Sequence, residues 1–88
     1  MPKFMSSHTV PPGAMTQGQI EELARAAQQD PTVRGYRSFV NLSAGKAFCV
    51  LEAPSKDTIV AWFQKVGMPC DAIEQVELEG ERGNIQRV

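Results

Sequence analysis

Histidine, cysteine and charge of any one sign are all scarce in this chain of 88 residues. It carries one His, two Cys, and a formal charge of −1 from 9 basic and 10 acidic side chains. No basic stripe interrupts that balance, which argues against steering toward nucleic acid or an anionic membrane surface. Cys49 and Cys70 are far apart and form no CxxC pair. Two thiols are too few for a disulfide scaffold, so they read as reduced cysteines of a cytoplasmic protein. No apolar run approaches the roughly 20 residues of a membrane helix. The first eight residues lack the apolar core of a signal peptide. Repeats and low-complexity segments are absent. The glycines are scattered and make no phosphate-binding loop.

What is present suits one small domain. A chain of this length buries roughly 60–65% of the surface it would expose unfolded. That supports one thin core and makes association plausible if a second apolar face stays in water. Residues 3–9 predict a first strand, ended by Val10-Pro11-Pro12-Gly13 because proline has no N–H for a ladder. Thr16 with Gln19 three residues on makes a capping box. Ile20, Leu23, Ala24 and Ala27 follow at helical spacing, and the helix ends near Asp30-Pro31. Residues 34–42 and 46–53 predict two strands joined tightly at Ser43-Ala44-Gly45. Ser55 caps a second helix whose buried stripe is Ile59, Trp62, Phe63 and Val66, and Gly67 with Pro69 ends it. Residues 73–78 predict a fourth strand.

Strand, helix, hairpin, helix, strand is the β-α-β-β-α-β order of the ferredoxin-like α+β sandwich. It predicts a four-stranded antiparallel sheet with both helices on one face. Residues 1–79 read as that domain, and residues 80–88 as a polar C-terminal tail, partly disordered or loosely extended.

Strand parity then assigns faces. In the third strand Ala47, Cys49, Leu51 and Ala53 form a small apolar row suited to the helices. Lys46, Phe48, Val50 and Glu52 form a row with charged ends, suited to the open face. The hairpin register pairs Ser38 with Cys49, Phe39 with Phe48 and Arg37 with Val50. Phe39, Phe48 and Val50 therefore share the open face, and the row Phe4, Ser6, His8 is expected to join them. An uncovered aromatic patch usually marks an interface. A face-to-face homodimer through Phe39, Phe48, Val50 and Phe4 is the expectation. Base stacking on RNA is disfavoured by the charge and by the absence of the glycine-aromatic signature.

Few residues can carry chemistry. His8 is the sole imidazole, and metal sites need three or more converging donors. Glu52 shares the expected open face and Cys49 is a further candidate donor, so the candidate metal set is His8, Glu52 and Cys49. Cys49 in an apolar row otherwise behaves as a small hydrophobe. Cys70, beside Asp71, reads as an inert thiol in a loop. No acid/base or nucleophile constellation is visible, and Glu74, Glu77, Glu79 and Glu81 read as a solvated edge and tail.

Several ordered segments resemble a small bacterial family of unknown function that includes a nickel-binding protein. They are Pro2-Lys3-Phe4-Met5 with His8, Arg37-Ser38-Phe39-Val40, Phe48-Cys49-Val50-Leu51-Glu52-Ala53-Pro54, Gly67-Met68-Pro69 and Ile73-Glu74-Gln75-Val76. The likeness covers most of residues 1–78. It implies a dimeric ferredoxin-like fold and a link to nickel, and no enzymatic reaction. Many relatives carry a His where Arg37 stands, and Arg stays protonated and does not ligate metals. The leading expectation is a small non-catalytic homodimer that binds nickel or another divalent metal weakly. One alternative is a small-molecule binding or sensing module with a pocket at Tyr36, Leu51 and Trp62. Another is an enzyme of the dimeric α/β-barrel type.

Overall fold

A computed structural model describes residues 1–88. The chain forms β1 (Lys3–Thr9), α1 (Gln17–Gln29), β2 (Arg34–Asn41), β3 (Lys46–Glu52), α2 (Lys56–Val66), β4 (Ala72–Gln75), β5 (Leu78–Glu81) and β6 (Asn84–Arg87). The first four-stranded sheet has the order β2-β3-β1-β4, and every neighbouring pair is antiparallel. The protein is thus α+β, with two helices over one face of a four-stranded antiparallel sheet.

Local chemistry sets the element ends. Thr16 and Gln19 exchange both hydrogen bonds of the capping box at the start of α1. The Ser55 hydroxyl accepts from the Thr58 N–H at the start of α2, Asp57 lies in its first turn and Lys65 in its last. Those charges complement the helix dipole. Gly67 closes α2 in the left-handed region, at φ 74°. Gly45, at φ 68°, closes the β2–β3 turn where a Cβ would stand 2.0 Å from the Val10 carbonyl oxygen. The Val10 N–H donates to the Gly45 carbonyl at 2.8 Å, so this close approach ties the end of β1 to the hairpin.

The β2–β3 ladder pairs Phe39 with Phe48, Ser38 with Cys49 and Arg37 with Val50, as the sequence predicts, until a bulge at Tyr36 shifts the register. The parity expected for β1 is reversed. Phe4 pairs with Leu51, Ser6 with Cys49 and His8 with Ala47, so Phe4, Ser6 and His8 lie under the helices. All three are buried. The outward row of β1 is Lys3, Met5, Ser7 and Thr9. The reason is packing: Phe4 is the bulkiest side chain of the strand, and burying it fixes the rest at period two.

The core joins Phe4, Leu51, Ala53 and Ile73 of the sheet region to Ile59, Trp62 and Phe63 of α2. Only Ala27 of α1 is fully buried.

The C-terminus also departs from expectation. β4 stops at Gln75, and residues 80–88 are no loose tail. They join Leu78 and Glu79 in a separate two-stranded hairpin, so a boundary at 79/80 falls within β5. Arg82 and Gly83 both take positive φ at its turn, the geometry that suits tight hairpins. Lys3 holds this hairpin to β1 through an ion pair with Glu79 at 2.8 Å.

Candidate functional site

Three places on the molecule could carry function: a buried polar row, a cavity beside it, and the open face of the sheet.

The polar row crosses three strands under the helices. His8 Nδ1 lies 2.7 Å from the Pro69 carbonyl oxygen, and its Nε2 lies 2.8 Å from Ser6 Oγ. A carbonyl can only accept, so Nδ1 carries a proton. In the neutral ring, Nε2 then accepts from the Ser6 hydroxyl. The edge of His8 packs on Phe63, with ring centroids 4.5 Å apart. Across the ladder from Ser6, Cys49 receives a hydrogen bond from the Ser38 hydroxyl at 3.6 Å. Burial pushes the Cys49 thiol up, and hydrogen bonds with Ser38 and Ser6 offset part of that effect. The thiol is held protonated.

A hydroxyl beside an oriented imidazole resembles a base-activated nucleophile. Here it is sealed: Ser6 is 2% and His8 1% exposed. The pair satisfies polar groups within the core and ties β1 to the loop after α2. Every buried side-chain nitrogen and oxygen atom has a partner.

The candidate metal donors do not converge. Both ring nitrogens of His8 are engaged. Glu52 belongs to the open-face row, where it accepts a hydrogen bond from the Tyr36 hydroxyl. Cys49 lies on the helix side with a protonated thiol. His8 and Glu52 are therefore on opposite faces, against the expectation that they share one. No group of three or more His, Cys, Asp and Glu side chains is placed to hold a metal ion. The donor chemistry of the single chain does not fit a nickel centre.

An open-sided pocket of about 270 Å³ lies between α1, strands β2 and β3, and Trp62 and Phe63 of α2. Leu51, Trp62, Leu23, Ala24, Ala27 and Cys49 line it. Tyr36 borders it too. The Tyr36 ring has Lys3 4.5 Å from its centroid and its hydroxyl on Glu52, which are open-face residues.

On the open face Phe39 and Phe48 are each 57% exposed and Met5 50%. Val50 is half-buried in the same row. Phe4, expected among them, belongs to the core instead. Arg37 stacks on Phe39, with its guanidinium carbon 5.0 Å from the ring centroid. No helix is long and apolar enough to cross a membrane.

Sequence reasoning missed Ser6 as the partner of His8. The signal was there. Lys3 and Thr9 flank the opposite row of β1, just as Lys46 and Glu52 flank the outward row of β3, and the same argument turns Ser6 and His8 inward.

A model of the family described as nickel responsive protein SCO4226-like matches residues 4–76. The fold is similar to that in the crystal structure of SCO4226 from Streptomyces coelicolor A3(2), at 23% identity and a TM-score of 0.73. That match covers 89% of this chain and 99% of the other. No curated protein matches the chain.

Proposed function

Because this chain belongs to the nickel-responsive SCO4226-like family, we propose that it is a small non-catalytic protein that works as a ferredoxin-like homodimer. The strand order β2-β3-β1-β4 under two helices supports the ferredoxin-like reading. The exposed aromatic pair Phe39 and Phe48 carries the dimer. Met5 pairs with Val50, the next outward residue after Phe48 on β3, so Met5, Val50 and the two rings make an apolar patch across β1, β3 and β2. Charges of both signs rim that patch: Lys3, Arg37 and Lys46 against Glu52 and Glu74. A self-complementary patch of this kind suits a twofold contact, in which the same surface serves both copies. The sealed Ser6–His8 pair and the protonated Cys49 support a non-catalytic role. Two unpaired cysteines suit a reducing cytoplasm.

Nickel binding in this reading is weak, at about the micromolar range or above, because no strong donors converge in the chain. Light scattering and calorimetry test both parts. The wild type scatters as a dimer, and Phe48→Glu, which sets a charge in the interface, scatters as a monomer. A wild type that stays monomeric at high micromolar concentration overturns the dimer. Tight nickel binding by the wild type overturns the weak-metal reading.

A further inference from the structure

The space under α1 has an origin in composition. Ala24 and Ala27 on the helix face Gly35, Ser38, Ala47 and Cys49 on the strands. Small side chains meet small side chains, and neither layer fills the gap. Protein interiors ordinarily leave few voids larger than a water molecule. The pocket of about 270 Å³ is lined mostly by hydrophobic residues and opens to solvent past Ala24, Ser38 and Val40, so the core is left unfilled on this side. Water entering from the open side finds few polar partners along the apolar walls, so an apolar ligand can displace it.

We infer that this cavity is a binding site for a small uncharged aromatic molecule bearing one hydrogen-bonding oxygen. Size comes first. A cavity of about 150 Å³ accepts a benzene ring. The space here admits a ring and a few further heavy atoms. The walls come second. Leu23, Leu51, Trp62 and Phe63 offer flat and branched apolar surfaces, and aromatic edges favour a ring partner. Charge comes third. The Cys49 thiol keeps its proton. The one cationic side chain at the border, Arg37, is engaged with Phe39 on the other face. A charged ligand would lose its hydration without an ionic partner.

Two polar side chains remain: Gln28, whose amide nitrogen donates to the Gly35 carbonyl, and Ser38. The Ser38 hydroxyl donates to Cys49 sulfur at 3.6 Å, and sulfur is a weak acceptor. Ser38 is exposed, so the hydroxyl can turn to a ligand oxygen at little cost. This reading is separable from the dimer, because most of the lining lies on the helix side and only Tyr36, Arg37 and Val50 at the border belong to the open face.

The chain has a single tryptophan, and it lines the cavity, so its indole N–H resonance reports on that space directly. The probe is p-cresol, titrated into the nitrogen-15-labelled full chain. The expected result is a saturable shift of the Trp62 indole signal, with benzoate binding at least about tenfold more weakly. Ala24→Phe and Ser38→Leu fill the cavity from opposite walls at exposed positions. Each should abolish the shift while the amide spectrum keeps its folded dispersion. An absent or non-saturating shift overturns the proposal, as does a shift that survives in either folded variant or benzoate binding as well as p-cresol.

Discussion

The two helices cover the same sheet in different ways. Under α2, Ile59, Trp62 and Phe63 are 0–5% exposed and meet Phe4, Leu51 and Ile73 in a continuous core. Under α1 only Ala27 is buried, Ile20 and Leu23 are half-buried, and Ser38 and Val40 on the strand below stay exposed. Side-chain volume accounts for the contrast. The buried stripe of α2 is built of large residues, whereas α1 turns two alanines toward a row of Ser, Ala and Cys. Half of the molecule is a solid core and half is a shelf with room beneath it. Large side chains on α2 thus close the core, while the small ones on α1 leave a pocket that Trp62 and Phe63 of α2 also line.

The largest expected effect tests the solid half. Ile59→Ala should cost about 2–5 kcal/mol, as buried truncations do. Leu23→Ala on α1 should cost less than about 1.5 kcal/mol, because little apolar area is withdrawn from water there. Urea denaturation of the two variants measures the contrast directly. Equal losses would show that α1 packs as firmly as α2.

The polar row gives the next effect. Ser6→Ala removes the donor to His8 Nε2 within the core and should cost about 1–3 kcal/mol. A long-range nitrogen-15 spectrum of the wild type should show His8 protonated on Nδ1. The other tautomer would break the assignment of Pro69 as acceptor.

The smallest effect is a pH dependence from the hollow half. Burial raises the Cys49 thiol above its ordinary value of 9.0. The unfolded thiol ionises first as pH rises, so the folded state holds more protons in that window. Stability therefore falls as pH climbs from about 9 through the higher folded-state value. Thermal melts of Cys49→Ala should show a flatter alkaline decline. What remains includes the contribution of Cys70, whose thiol burial also raises. A decline unchanged by Cys49→Ala would place the titrating group elsewhere.

Much of the fold was legible because its signals are local. The Thr16–Gln19 box, the Ser55 cap, Gly67 and the hairpin register up to the bulge all depend on residues near each other in sequence. The face of β1 was only weakly legible, because Lys-Phe-Met-Ser-Ser-His-Thr places an apolar residue in each row and only the polar ends of the Lys3–Thr9 row mark it as outward. Tertiary packing of Phe4 against Leu51 breaks that tie. The C-terminal hairpin was obscured by its composition. Glu77, Glu79, Glu81 and Arg82 read as solvated, and Arg-Gly is a less distinctive turn than Asn-Gly. Of the candidate site, the exposed Phe39–Phe48 pair and the Leu51–Trp62 wall were readable from parity and helical spacing. The separation of His8 from Glu52 depended on the parity of β1, and the cavity depended on small residues from distant segments meeting.

The bulge at Tyr36 bears on how copies of this chain can accumulate. It lies in β2, an outer strand of the sheet, and β4 at the other edge is only four residues long. Arg34 and Arg37 add charge on either side of the irregularity. A bent, charged strand and a short one are both poor templates for a further backbone ladder. Growth strand by strand into a fibre is blunted at each end of the sheet. The apolar rings of Phe39 and Phe48 sit on the flat of the sheet instead, away from the backbone ladder of either edge.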